Sequence, residues 1–255
     1  IVLAITAGAM EEWSDRRLVL MLQNPRSLAP HYAGNKPFPH IVLKNIWDDE
    51  QLGQVADECE KFEDWDEEKK FFGSIGKRTC GTLSKFPPTV LGLVNYCNSA
   101  KFLRSLEVLT GEIGLIPDPY LYGGGIHSTL NNGFLKMHAD FNWHHHLKLY
   151  RRLNLLIYLN RDWDEGWGGG LRLASLGESG LETGQIVMPN FNKTVIFTTT
   201  DSSFHGHPDP MNLPVGRVRN SIALYYYVST KPEDTSEFKR LETDYRLLDG
   251  SELRD

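Results

Sequence analysis

His138-Ala139-Asp140 sets a histidine and an aspartate two residues apart in a chain of 255 residues that carries nine histidines. On a strand, residues i and i+2 point to the same face, so both side chains can reach one ion. One more nitrogen would complete the two-histidine, one-carboxylate face that holds non-haem Fe(II) while leaving positions open for oxygen and substrate. That third ligand must come later, near the end of another strand, and SSFHGHP offers His205 and His207 just after the strand-like VIFTTT. Arg219 follows His205 by fourteen residues, at the start of the apolar run in RVRNSIALYYY. An arginine facing inward needs a buried anion, because an unpaired buried charge is costly. Its planar fork suits a carboxylate held bidentately. Fe(II), an anionic co-substrate and an arginine for its far carboxylate therefore form one consistent set. A His-x-Asp pair alone also arises by chance; the later histidine and the arginine give this one its weight.

Other eye-catching residues carry less. His144, His145 and His146 are consecutive, so on a strand or turn they cannot all face one centre, and a solvated loop or rim is expected. His127, after the triple glycine of YGGGIHS, is expected as a polar strand residue or rim contact. The glycines lack the GxGxxG spacing and the strand–helix setting of a nucleotide loop. FEDWDEEKK is expected as solvated acidic surface, and Cys59 as core. No GxSxG and no evident Ser–His–Asp arrangement is present.

These residues must be positioned by a fold whose texture changes along the chain. EEWSDRRLVLMLQ is helix-like and is followed by a Pro- and Gly-dotted connection, NPRSLAPHYAGNKPFP. HIVLKNI is β-rich and leads into DDEQLGQVADECEKF, where Asp48 and Gln51 have capping-box spacing. VLGLVNYCNSAKFLRSLEVLTG is a further helical region that stops on Gly111. From about Leu121 the chain turns to short apolar-alternating runs. LNLLIYLN and GLRLASL flank RDWDEGWGG as a hairpin would, and KTVIFTTT and SIALYYYV are strand-like. Helices followed by many short strands imply an α+β fold, a helical layer supporting a jelly roll.

Composition sets bounds. A hydrophobic fraction of 40% with 24% charged residues is ordinary for a globular protein. A net charge of −6 argues against a non-specific grip on nucleic acid or an anionic membrane. Cys59, Cys80 and Cys97 form no CxxC and are expected as reduced thiols in a cytoplasmic protein. The apolar opening IVLAITAGAM is too short to span a membrane; with no basic stretch before it to make it a signal segment, it is expected as upstream sequence, with Met10 expected as the natural start.

The ordered set of His-x-Asp, LLIYLNRDWDEGWGGGLRL, a distal histidine and Arg-x-Ser resembles the iron- and 2-oxoglutarate-dependent dioxygenases, in their prolyl 4-hydroxylase-like, hypoxia-factor prolyl-hydroxylase branch. The resemblance runs from about Gly133 to Val228, with FPHIVLKNIWDDEQL similar to the family's lead-in strand and helix. It implies a double-stranded β-helix (jelly roll) with supporting N-terminal helices. Residues 1–35 would be an N-terminal extension with a helix and 36–255 a single dioxygenase domain, with its core at about 120–229. It also implies His138, Asp140 and His205 as iron ligands, with His207 on the rim because His205 closes VIFTTTDSSF. Arg219 and Tyr158 would hold the far carboxylate of 2-oxoglutarate, with Asn154 and Ser221 as further co-substrate contacts.

The cofactors implied are Fe(II), 2-oxoglutarate and O2, with ascorbate as a candidate reductant. An aspartate at position 140 favours hydroxylation, since related halogenases carry a small residue there. The expected reaction hydroxylates an unactivated C–H of a prolyl or related amino-acid unit, free or peptidyl, releasing succinate and CO2. The alternatives are a tailoring oxygenase on a small metabolite or carbohydrate, or a non-catalytic jelly-roll binding protein. The partner is a small-molecule or peptidyl substrate, with no nucleic acid and no membrane. The loops around HHHLKLYRR, the region GTLSKFPP and the N-terminal helices are where substrate choice is expected.

Overall fold

The computed structural model describes residues 25–253, so the helix expected over EEWSDRRLVLMLQ lies outside them. The expected connection that follows instead opens with a helix, α1 (Pro25–Gly34). Pro25 at its first position forfeits no intrahelical bond. Tyr32 is buried and its hydroxyl meets Thr198 Oγ1 at 2.6 Å, so packing outweighs the cost of Pro30 within the helix. β1 (His40–Lys44) and α2 (Asp49–Glu60) follow as expected. Asp48 caps α2, accepting from the Glu50 and Gln51 backbone N–H groups at 3.0 and 3.1 Å. The helical region ending at Gly111 is two helices, α3 (Pro88–Cys97) and α4 (Ala100–Thr110). Ser99 divides them, because its hydroxyl accepts from Phe102 N–H and starts a new helix. Gly111 closes α4 in the left-handed region at φ 79°.

Twelve further strands complete the described fold. They are β2 (Glu67–Phe71), β3 (Ser74–Cys80), β4 (Ile116–Pro117), β5 (Gly125–Ala139), β6 (Trp143–His144) and β7 (Leu149–Tyr158). The rest are β8 (Leu171–Gly177), β9 (Gly180–Val187), β10 (Lys193–Thr198), β11 (Phe204–His207), β12 (Arg219–Val228) and β13 (Asp244–Arg246). FEDWDEEKK is thus not acidic surface alone; its second half is β2, paired with β3. The main order is β1-β10-β7-β12-β5-β11-β8-β9, antiparallel at each step. This nearly closed, antiparallel arrangement is the double-stranded β-helix the sequence implied.

The hairpin expected across RDWDEGWGG does not form. β7 lies between β10 and β12, while β8 lies between β9 and β11. The linker is an anchored crossover containing a 3-10 turn (Glu165–Trp167), with Trp163 packed against Met211 and Leu213. β5 spans both walls of the barrel. Its first part pairs with β12 and its second with β11 and β13, while β3 runs beside both. The β3–β5 register shifts where Gly76 of β3 faces residues 130–133 of β5, with Asn132 at φ 60°.

Period-2 alternation divides the central strands between two environments. Leu153, Leu155 and Ile157 of β7 and Ile222, Leu224 and Tyr226 of β12 face the helices, in one core with Leu52, Leu93 and Leu106. The opposite face turns Asn154, Leu156, Tyr158, Arg219, Ser221 and Tyr225 into the barrel. Leu155→Ala should therefore cost about 2–5 kcal/mol, against about 1 kcal/mol for the cap variant Asp48→Ala, as read from denaturant midpoints. Equal effects of the two would contradict this placement of the core.

Candidate active site

A cavity of about 140 Å³ opens inside the barrel, and strand register explains what lines it. His138 near the end of β5 pairs directly with His205 of β11. His205 therefore does not close the VIFTTT strand, which is β10 and ends at Thr198. It sits on a short strand of its own on the opposite wall. Asp140 follows β5 immediately. One ligand atom from each of His138, Asp140 and His205 lies within 4.8 Å of the others, and all three residues are buried.

The two histidines are aimed alike. His138 Nδ1 lies 2.8 Å from the Lys136 carbonyl and His205 Nδ1 lies 3.1 Å from the Ser203 carbonyl. A carbonyl only accepts, so both Nδ1 atoms carry the hydrogen and both Nε2 atoms present a lone pair. Those Nε2 atoms stand 3.7 and 3.4 Å from the Asp140 carboxylate. Burial pushes His138 down to about 3, helped by His205 and opposed by Asp140. Burial lowers His205 as well, so both rings are neutral at pH 7. Burial also acts to raise Asp140, but the Arg151 guanidinium, helped by the Asn154 hydrogen bond, outweighs it and holds the carboxyl below its ordinary range. Two lone pairs and an anion thus converge with no proton among them, an arrangement that a cation completes. The set fits Fe(II), with three protein donors on one face.

Asp140 is held by Arg151, which the sequence did not single out, and by Asn154, which was expected as a co-substrate contact instead. Arg151 Nη2 and Asn154 Nδ2 each donate to Asp140 Oδ2 at 2.8 Å. Arg151 also donates to Asn154 Oδ1 at 2.8 and 3.1 Å, and its guanidinium lies 3.5 Å from the Tyr225 ring centroid. Asn154 faces the cavity, as expected, but its amide is engaged by this network. Arg151 turns inward because Arg152 is an unpaired bulge on β7. Tyr226 pairs with Leu153 and Tyr227 with Arg151.

The other end of the cavity is built around Arg219. It is buried, donates through Nε to the Gly169 carbonyl at 2.8 Å and through Nη2 to Tyr158 Oη at 3.3 Å. Among the described residues no carboxylate lies within ion-pair distance of it. Burial pushes the Tyr158 phenol up, against the pull of Arg219. The phenol keeps its proton and can donate it to an anion beside the guanidinium. Gly169 permits the close approach, because a Cβ there would come within 3.2 Å of Arg219 Cδ. Ser221 pairs with Tyr158 and with His127 across neighbouring strands, and all three line the cavity.

His207 is buried along the same wall rather than on an exposed rim. The three consecutive histidines do not converge on the cavity. His144 is buried rather than solvated, 3.3 Å from Asp118, while His146 is exposed. Cys59, Cys80 and Cys97 are free and buried. Phe141, Tyr225, Tyr245, Lys69 and Lys77 also line the cavity, places that their sequence positions did not suggest. Among the described residues no helix is long and apolar enough to cross a membrane.

The buried neutral histidines give a signed pH dependence. A histidine held at about 3 in the fold, against 6.5 as its ordinary value, takes up its proton more readily when unfolded. Stability conferred by the neutral form is present above about 6.5 and is lost as pH falls toward 3. The metal-free protein should therefore lose stability between pH 7 and pH 4, with a shallower loss in His138→Gln. An unchanged slope in that variant, measured by denaturant titration with a chelator present, would contradict the buried neutral ring.

The profile of the 2OG-Fe(II) oxygenase superfamily matches residues 124–227. A search of curated proteins returned no match. Among solved structures, a prolyl-4-hydroxylase from Pseudomonas putida is similar at 14% identity and a TM-score of 0.54, covering 81% of this chain and 100% of that one. A prolyl hydroxylase from Trichoplax adhaerens, in complex with a hypoxia inducible factor peptide fragment, gives 14% and 0.58, covering 85% and 94%. HygX from Streptomyces hygroscopicus, with nickel, 2-oxoglutarate and hygromycin B bound, gives 13% and 0.52, covering 81% and 93%. At these identities the likeness is one of fold. The matched segment holds His138, Asp140, His205 and Arg219, so the part of the chain that bears the site is similar to the 2OG-Fe(II) oxygenase superfamily, the iron- and 2-oxoglutarate-dependent dioxygenases.

Proposed function

We propose that the chain hydroxylates an unactivated C–H bond of a prolyl or related amino-acid unit, releasing succinate and CO2 from 2-oxoglutarate. The observation that carries this reading is the convergence of His138, Asp140 and His205 in one cavity with an Arg219 that has no carboxylate partner among the described residues. Fe(II) held by these three residues would supply the oxidation of the C–H bond by O2, coupled to decarboxylation of 2-oxoglutarate.

The chain's own part is binding, orientation and exclusion of water. His138 and His205 keep their Nδ1–H groups on the Lys136 and Ser203 carbonyls, which fixes both rings with Nε2 toward the centre. Arg151 and Asn154 fix the Asp140 carboxylate. Arg219 offers its fork to the far carboxylate of 2-oxoglutarate, with the Tyr158 hydroxyl beside it and Ser221 on the same face. The buried Leu171 and Phe141, with the partly buried Leu156, limit water around the reacting atoms. Likeness of fold to HygX, whose structure holds hygromycin B, supports a second reading in which the substrate is another small metabolite.

Anaerobic addition of Fe(II) and then 2-oxoglutarate to metal-free protein should produce the weak visible charge-transfer band of the chelated co-substrate. The band should vanish in His138→Ala, need more 2-oxoglutarate in Arg219→Ala, and persist when His144, His145 and His146 are replaced together. Absence of the band from the unaltered protein would overturn the reading in favour of a binding protein.

A further inference from the structure

Lys77 has no task in the function proposed above. It lies on β3, paired with Thr129 of β5 on one side and with Lys69 of β2 on the other. Thr129 in turn pairs with Arg219. Lys69, Lys77, Thr129 and Arg219 therefore form one row across four strands, and all four line the cavity. Lys69 has a partner, Glu67, at 3.1 Å. Arg151 has Asp140 at 2.8 Å, and Arg219 is reserved for the co-substrate. Among the described residues none makes a hydrogen bond or an ion pair with the Lys77 ammonium.

Charge on the cavity wall is one-sided. Lys69, Lys77, Arg151 and Arg219 face it, and Asp140 is the single carboxylate among the lining residues. Loading does not remove the surplus, because the two positive charges of Fe(II) cancel the two negative charges of 2-oxoglutarate. Burial and the neighbouring Lys69 push Lys77 down to about 7, with Arg219 and Arg151 adding to the effect and Asp140 opposing it. An ammonium in such a place is costly without an anion beside it. Lys77 is partly buried on the cavity wall and none of the described acids reaches it, so an anion entering the cavity would find an ammonium with no competing partner.

We infer that the substrate carries a free carboxylate, a small acid whose carboxylate is held by Lys77 while its C–H bond lies before His138, Asp140 and His205. This rests on the oxygenase reading given above and narrows it. One ammonium, next to a lysine already partly neutralised by Glu67, matches one negative charge. A free amino or imino acid supplies that charge. A prolyl unit inside a peptide does not, since its carboxyl is an uncharged amide.

The test uses the anaerobic Fe(II) and 2-oxoglutarate complex of the whole chain. It is titrated with L-proline, L-pipecolate and other free amino and imino acids, each beside its own primary amide. Binding is followed by calorimetry and by perturbation of the charge-transfer band. At least one acid should bind roughly tenfold or more tightly than its amide, the size expected for a lost charged hydrogen bond. Lys77→Met should erase that difference while leaving the band and the affinity for 2-oxoglutarate intact, and Lys77→Arg should restore it. An amide binding as well as its acid across the whole panel would overturn the inference. So would loss of 2-oxoglutarate affinity in Lys77→Met with the band intact in the unaltered protein, since Lys77 would then belong to the co-substrate. Absence of the band from the unaltered protein would instead sink the oxygenase reading, and this inference with it.

Discussion

Two imidazole lone pairs and one carboxylate are made to face each other inside a buried barrel, and the rest of the site is arranged around that unfavourable meeting. Neither ring can relieve it by turning its N–H inward, because each Nδ1–H is committed to a carbonyl two residues earlier in the chain. Protonation is resisted by burial. Without a cation between them, the donors repel, and Arg151 offsets only the carboxylate's share of that repulsion. The fold holds the three groups together because its stability is set elsewhere, in the helix-facing core that includes Leu153, Leu155 and Ile222.

The same sheet separates the two tasks by direction alone. Along β7 and β12 alternate residues go to the helical core or to the cavity. A single pair of strands thus carries both the packing that stabilises and the polar groups that bind. Cross-strand register then decides which polar groups are neighbours. Tyr158 is opposite Ser221 and Asn154 is opposite Tyr225, while His138 is opposite His205. Residues distant in the chain become one site because antiparallel pairing brings their strands together, with no local segment able to form the site alone.

That division also explains what could be seen in the sequence. His138 and Asp140 are legible because i and i+2 spacing on a strand is a local rule. Arg219 is legible because a charge at the head of an apolar strand calls for a buried anion. The jelly roll was legible from the run of short strands and the family-like stretch around Tyr158. Arg151 was not, because Arg152 is a bulge, and an uninterrupted alternation would have sent Arg151 away from Asn154. Lys77 was not, because its place depends on β3 pairing with β5, whose partner residues begin about fifty positions later. The hairpin over RDWDEGWGG failed for a related reason. Two strand-like runs flanking a turn-rich segment predict strands, but they do not say which strands will pair. His144 was expected in solvent beside its two neighbours, yet it is drawn inside toward Asp118.

The central claim is that His138, Asp140 and His205 form one cation site. Its most direct test is anomalous diffraction from crystals of the chain loaded with Mn(II) as a stable stand-in for Fe(II). One strong peak should appear, enclosed by His138 Nε2, His205 Nε2 and an Asp140 oxygen, with Arg151 still on the carboxylate. A peak at His144, His145 and His146 instead, or none at the cavity under saturating metal, would contradict it.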